Sequence, residues 1–300
     1  MTRFRTPLSL LALGTAGLAL TACGSGDGTE VTTAADATTT TSATTSTSSS
    51  TSSALTTTAT SATPRASESA DCADAHRYEM GLKYQQQSAE IRALQEQTYR
   101  FATQRLEEIV EQHEEDKIAA ARGKDLAIVT DLDETAIDNT PMMVRDMEKC
   151  QQYSTWDTWG KWEQEGHPTV IPGALEFFEK ADELGVDIFY ISDRTEENFE
   201  DTVATLKELN FPQVSDDNVL LLGPDKQERR EKVEQDHTVV MLLGDTLHDF
   251  DEDFATHKND VAKQRELVDE NSDKLGTEWI VFPNSAYGRW ENEELESWDE

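Results

Sequence analysis

Four aspartates in two short runs, Asp131-Leu-Asp133-Glu-Thr135 and Gly244-Asp245-Thr-Leu-His-Asp249, carry the most informative chemistry in this sequence. Each run follows an apolar stretch, Leu126 to Thr130 and Val239 to Leu243, that reads as a buried parallel strand, so the carboxylates are expected on one rim of one sheet. Carboxylates gathered there repel one another. A hard divalent cation with oxygen ligands, most simply Mg2+, relieves that repulsion. Aspartates two positions apart on an extended segment point to the same side, which lets Asp131 attack while Asp133 handles a proton. Two further groups belong to the same rim. Ser192 ends the strand Phe189-Tyr-Ile191 and supplies a hydroxyl, and Lys226 opens a helix after Gly223-Pro-Asp225 and supplies an ammonium. An in-line nucleophile with positive charge near the equatorial oxygens is what phosphoryl transfer requires.

The elements that must position these groups alternate along the chain. Strands are expected at Leu126 to Thr130, Val186 to Ile191, Val219 to Leu222, Val239 to Leu243 and Trp279 to Phe282. Helices are expected at Ala174 to Leu184, Glu196 to Leu209, Lys226 to Gln235 and Val261 to Asn271. Such alternation predicts an α/β fold, a Rossmann-like parallel sheet with helices on both faces. Ahead of it, Ile91, Leu94, Ala102, Leu106 and Ile109 keep helical spacing, predicting an N-terminal helical extension of one or two helices from Tyr84 to about Ala121, closed by Gly123. The stretch from about 139 to 172 breaks the alternation. It holds Trp156, Trp159 and Trp162, and it reads as a small cap inserted after the first strand.

The chain has 300 residues, and its beginning is not globular. Residues 1–22 combine Arg3 and Arg5 with an apolar, small-residue run ending in Leu20-Thr-Ala-Cys23, a signal-peptide pattern whose end resembles a bacterial lipobox with Cys23 as the lipidated residue. Residues 23–70 are dominated by Thr, Ser, Ala and Gly, which cannot bury enough apolar surface to offset ordering, and read as a disordered tether. Residues 71–300 form the folded domain. The expected location is therefore extracytoplasmic, attached to a bacterial membrane by a lipid anchor. With Cys23 assigned to lipid, Cys72 and Cys150 remain as a candidate disulfide in a compartment that permits one. Sixty acidic residues against 26 basic ones give a formal net charge of -34, with no dense basic cluster. That excludes binding to a nucleic acid polymer through a neutralising patch, and any phosphate site must work through local cations.

At these residues the chain resembles the haloacid dehalogenase (HAD) superfamily, whose four motifs are matched by Asp131-Leu-Asp133-Glu-Thr135, Ser192, Lys226 and Gly244-Asp245-Thr-Leu-His-Asp249. More narrowly it resembles the bacterial class C acid phosphatases, surface lipoprotein 5'-nucleotidases. That likeness extends from Tyr84-Gln-Gln-Gln-Ser-Ala-Glu90 to Pro283-Asn-Ser-Ala-Tyr-Gly-Arg-Trp290 and includes Ile171-Pro-Gly-Ala174. The resemblance implies a nucleophilic Asp131 that forms an aspartyl-phosphate, an acid–base Asp133, and Ser192 and Lys226 on the phosphoryl oxygens. It further implies Mg2+ held by the Asp131 carboxylate, the Asp133 backbone carbonyl and Asp245, with Asp249 in support. Trp159 and Tyr287 are expected to flank a planar ring of the substrate, with Arg194 nearby. The implied partners are small phosphorylated metabolites, nucleotides or similar, with assembly as a homo-oligomer left open.

Three departures stand out. Met142 stands where many relatives have an aromatic after Asp-Asn-x-Pro, at one wall of the expected base-binding slot. Ser192-Asp193-Arg194 replaces the family's Ser/Thr-Asn-Arg and adds a negative charge, for which Arg194 is the expected ion-pair partner. The interval from Lys226 to Asp245 is one residue short, which makes Lys232 a second, poorer candidate for the phosphate-binding lysine. A reading from another class is a catalytically inactive surface lipoprotein that binds a ligand or host molecule through the same cap.

Overall fold

The computed structural model describes residues 70–120, 123–152 and 158–298. The expected signal peptide, the tether with Cys23, and Trp156 lie outside the described residues. Among the described residues the strands are β1 (Asp125–Thr130), β2 (Ile137–Asp138), β3 (Thr169–Val170), β4 (Asp187–Thr195), β5 (Val219–Leu222), β6 (His237–Gly244) and β7 (Trp279–Val281). The helices are α1 (Ala70–Ala75), α2 (Glu79–Gln87), α3 (Ala89–Ala120), α4 (Thr140–Glu148), α5 (Trp159–Glu165), α6 (Ala174–Glu183), α7 (Phe199–Glu208), α8 (Lys226–Asp236), α9 (Glu252–Thr256) and α10 (Val261–Glu270).

Five strands pair in parallel in the order β5-β4-β1-β6-β7. Chain order runs outward from β1 in one direction and then resumes from β6 in the other, so the strand order reverses between β1 and β6. At such a point the crossovers diverge to opposite faces and leave a crevice beyond the carboxyl ends of the two strands. Strand period decides which side chains face which layer. Leu126 and Ile128 of β1, with Ile188 and Tyr190 of β4, join the core that includes Tyr99, Leu106, Phe177 and Phe178. Ala127, Val129, Phe189 and Ile191 point the other way, onto Val233 of α8. Both sheet faces are therefore covered, as the unbroken apolar strands foretold.

The expected N-terminal extension is present as α2 and α3, separated at Ser88, whose Oγ accepts from the Ile91 amide at 3.0 Å and caps the second helix. These helices grip the site from behind. The Tyr99 hydroxyl donates to the Thr135 carbonyl at 2.7 Å, inside the first aspartate run, and Gln85 Oε1 accepts from the Ser285 amide at 3.1 Å. A Cβ on Gly81 would stand 2.1 Å from the Ser285 carbonyl oxygen, so only glycine allows α2 to lie this close to the C-terminal loop. The Cys72–Cys150 disulfide is formed and ties α1 to the end of α4.

The antiparallel ribbon β2–β3 lies between β1 and α6, and α4 and α5 fall in the stretch between its two strands. That stretch is the one in which the sequence placed a cap. Trp162 packs with Met142, Met143, Met147 and Leu82 in a small core of its own, and Trp159 and Tyr287 border it.

Candidate active site

The two aspartate runs meet because β1 and β6 are neighbours in register. Thr130 pairs with Leu243, and the Asp131 amide donates to the Leu243 carbonyl at 2.9 Å, so Asp131 and Asp245 leave the sheet side by side. The loop after β6 then turns back on itself. The Thr246 amide and hydroxyl donate to Asp249 Oδ2 at 3.0 and 2.8 Å, and a Cβ on Gly244 would lie 2.4 Å from that of Asp249. A side chain at position 244 would push Asp249 out of the cluster. The result is that ligand oxygens of Asp131, Asp245 and Asp249 all lie within 4.8 Å of one another.

Lys226 is inserted into this cluster. It is the first residue of α8, whose N-terminus is capped by the Asp225 carboxylate accepting from the Glu228 amide at 2.8 Å. Its Nζ donates to Asp131 Oδ1 at 2.6 Å and to Asp249 Oδ1 at 2.5 Å, with only 8 % of the residue exposed. Lys232, the alternative lysine, is exposed on the outer side of the same helix. One ammonium does not balance three carboxylates. Burial pushes the Asp131 carboxyl well above its ordinary range; Lys226 opposes this, and Asp249, Asp245 and Asp133 add to it. Burial and the Asp249 charge likewise push Asp245 up to about 7, although Asn284 Nδ2 donates to its Oδ2 at 2.7 Å. Burial also works against ionised Asp249, but Lys226, His248 and the Thr246 hydroxyl together hold that carboxyl below the usual range. The surplus negative charge, confined to oxygen donors in a water-poor recess, fits a hard divalent cation.

Asp133 belongs to a second, adjoining network. Its carboxylate accepts from Arg194 Nε at 2.9 Å and from a terminal guanidinium nitrogen at 2.8 Å, from Asn139 Nδ2 at 2.9 Å, and from the Ser192 hydroxyl at 3.1 Å. Its side chain is thus separate from the three-aspartate cluster while remaining on the same cavity wall. Ser192 is fully buried, Arg194 is 1 % exposed, and neither lines the cavity. Arg194, expected beside the substrate, is instead the partner of Asp133, because the inward pleat at that position points its guanidinium beneath the loop. The extra charge of Asp193 is met from another side. Burial opposes its ionisation, but His248, Lys226 and Arg229 together hold its carboxyl well below normal, and Arg229 donates to it at 2.7 Å.

Beyond these groups opens a cavity of about 980 Å³, with Asp131, Asp133, Lys226 and Asp245 at one end and Trp159 and Tyr287 among its walls. The two rings meet edge to face, with centroids 6.4 Å apart. His248 borders the cavity and pairs through Nδ1 with the Thr246 hydroxyl at 2.9 Å.

Several contributors escaped the sequence reading. Lys226, Arg229, Arg230 and Val233 recur at i, i+3, i+4 and i+7 and form the buried face of α8. Arg230 donates to the Asp249 carbonyl at 2.9 Å and Arg229 to the Ser192 carbonyl at 2.6 Å. The periodicity was visible in Lys226-Gln-Glu-Arg-Arg-Glu-Lys-Val233, but its members are cations, which an apolar pattern does not register. Asn139 and Asn284 sit within the stretches of family likeness and carried no separate signal.

A strand-order reversal with carboxylates, a buried ammonium and a roomy cavity at its mouth defines an α/β enzyme of phosphoryl transfer. A family model described as HAD superfamily, subfamily IIIB (Acid phosphatase), matches residues 35–290. Two solved structures of the class C acid phosphatase from Bacillus anthracis, one with tungstate bound, are each 30% identical to this chain with a TM-score of 0.63. The alignment covers 72% of this chain and 87% of theirs. The chain belongs to HAD subfamily IIIB, the acid phosphatases, and is a phosphomonoesterase. HAD phosphatases generally use a divalent metal, and the acidic cluster that would hold one is present.

Proposed function

We propose that this acid phosphatase is Mg2+-dependent and releases phosphate from 5'-nucleotides or similar small esters outside the cytoplasm, as a lipoprotein anchored through Cys23. The observation that carries the reading is the junction of two sites in one cavity. Asp131, Asp245 and Lys226 line it, with Asp249 buried behind them, and an aromatic pair suited to a planar ring stands on its walls. Stacking on aromatic faces tolerates several bases, so a range of nucleotides fits better than one. The lipobox and tether support the location.

In this mechanism Asp131 attacks the phosphorus, the bond to the ester oxygen breaks, and Asp133 delivers a proton to that leaving oxygen. Water then attacks the aspartyl-phosphate and passes a proton to Asp133, which releases orthophosphate and restores the Asp131 carboxylate. Lys226 holds the attacking carboxylate and offers its remaining charge to the phosphoryl oxygens. Ser192 and Arg194 keep Asp133 in place for both proton transfers. A divalent cation held by Asp131, Asp245 and Asp249 would supply Lewis acidity to the transferring group.

Hydrolysis of a chromogenic phosphate ester and of a panel of nucleoside monophosphates, with chelator and with Mg2+ restored, tests the reading. Activity that is lost with chelator and recovered with Mg2+ is expected. Ligand binding without any hydrolysis, unchanged by chelator, is the behaviour of the inactive lipoprotein and would overturn it. Membrane partitioning of the full chain, lost in Cys23→Ser, tests the anchor.

A further inference from the structure

Glu134 is a fully buried carboxylate directly after Asp133, and the mechanism above gives it no task. Its backbone takes a left-handed φ of 59°, a conformation that glycine or asparagine adopts more readily than glutamate. The turn is fixed by the Glu134 amide donating to the Ile137 carbonyl at 2.8 Å. That turn aims the side chain sideways beneath the site. There Oε1 accepts from the Asn139 amide at 2.8 Å and from Asn139 Nδ2 at 3.3 Å, and Oε2 accepts from the Tyr287 hydroxyl at 2.6 Å.

Asn139 is a crossroads. Its Nδ2 also donates to Asp133 at 2.9 Å, while its Oδ1 accepts from Trp162 Nε1 at 2.8 Å and from Arg194 at 3.1 Å. A chain of hydrogen bonds thus runs from the proton-handling Asp133 through Asn139 and Glu134 to the hydroxyl of Tyr287, whose ring stands edge-on to Trp159 in the cavity wall.

Resting on the phosphatase reading above, we propose that Glu134 is a positioning residue for substrate selection. It clamps the Tyr287 ring upright against Trp159 and, through Asn139, sets that ring at a fixed distance from Asp133. Esters with a planar ring gain from this wall; esters without one do not. A rotatable phenol held by a buried acceptor loses freedom before substrate arrives, which is how preorganisation raises specificity.

The test measures kcat and KM for adenosine 5'-monophosphate and for glycerol 2-phosphate, a substrate without a ring, in the Mg2+-supplied enzyme. Four forms are compared: wild type, Glu134→Gln, Tyr287→Phe and the double variant. Glutamine keeps the size of the side chain and one carbonyl acceptor but can no longer accept from both Asn139 and Tyr287. Each single variant is expected to lower the ratio of kcat/KM for the ring ester to that for the ringless ester by about tenfold, chiefly through KM. The double variant should lower it by about the same factor, because residues acting through one contact do not add. An equal fall for both esters, or a double variant near a hundredfold, overturns the proposal. Tyr287→Phe by itself leaves the buried glutamate in place, so an unchanged ratio in that variant overturns it even if Glu134→Gln fails to fold. Wild-type enzyme inactive on both esters would instead refute the phosphatase reading, which keeps the two failures apart.

Discussion

Replacing Lys226 by methionine removes the ammonium from the centre of the carboxylate cluster while keeping most of the side-chain volume. Lys226 lies 2.6 Å from Asp131 and 2.5 Å from Asp249, and all three side chains are less than a tenth exposed. Removing one partner from a buried pair costs about 3–5 kcal/mol, since the remaining charges lie uncompensated in a poorly solvated recess. At about 2–4 °C per kcal/mol for a domain of this size, the chelator-treated variant should melt about 6–20 °C below wild type. Excess Mg2+ should narrow that gap, because a divalent cation takes over part of the neutralisation. Turnover should not recover in parallel. A preorganised positive donor at the transferring group is worth about a hundredfold to a thousandfold in kcat. Circular dichroism melts with chelator and with Mg2+, beside p-nitrophenyl phosphate kinetics, read both quantities. Lys232→Met is the control: an exposed residue, expected to change stability by less than about 0.5 kcal/mol and kcat not at all. A Lys226→Met enzyme within about threefold of wild-type kcat, or with the chelator melting point of wild type, would refute the assigned role.

Asp131→Asn should abolish hydrolysis yet melt no lower than wild type in chelator, because burial and three neighbouring carboxylates outweigh Lys226 at that position and Lys226 keeps Asp249 as its partner; a lower chelator melting point would contradict the electrostatics. Metal and pH should be linked through Asp245. Its folded-state value, near 7, is raised above that of an unfolded carboxylate, so its contribution to stability is present at acid pH and is lost as pH rises through about 7. The increase in melting temperature given by Mg2+ should therefore grow from pH 5 to pH 8, and an increment flat across that range would count against it. Cys72→Ser with Cys150→Ser opens a loop spanning 78 residues, which chain entropy values at about 4 kcal/mol; chemical denaturation should show a loss of this order, and an unchanged midpoint would show that the bond adds nothing.

The strands were legible because burial on both faces writes them as unbroken apolar runs, and Leu126 to Thr130 and Val239 to Leu243 fall within the observed β1 and β6. Their ends were extended by polar residues that hydrogen bonding alone recruits, as in β4, which continues through Ser192-Asp193-Arg194 to Thr195. The short ribbon β2–β3 and helices α1, α4, α5 and α9 were not anticipated, being too brief to show a period. Met142 belongs to the small core beside Trp162 and does not line the cavity, a placement that its sequence neighbours could not decide.

Residue types and their order along the chain determined the parallel α/β architecture and the gathering of Asp131, Asp133, Lys226 and Asp245 at one rim, because strand polarity and right-handed crossovers carry every strand's carboxyl end to the same edge. Which side chains then touch was decided only by tertiary structure. Asp249 folds back onto Gly244 to meet Lys226, Arg194 turns inward to Asp133 and away from the cavity, and Glu134 joins Asn139 to a tyrosine 153 positions away. Contacts of that kind depend on distances of a few tenths of an ångström between distant segments, and local sequence holds no record of them.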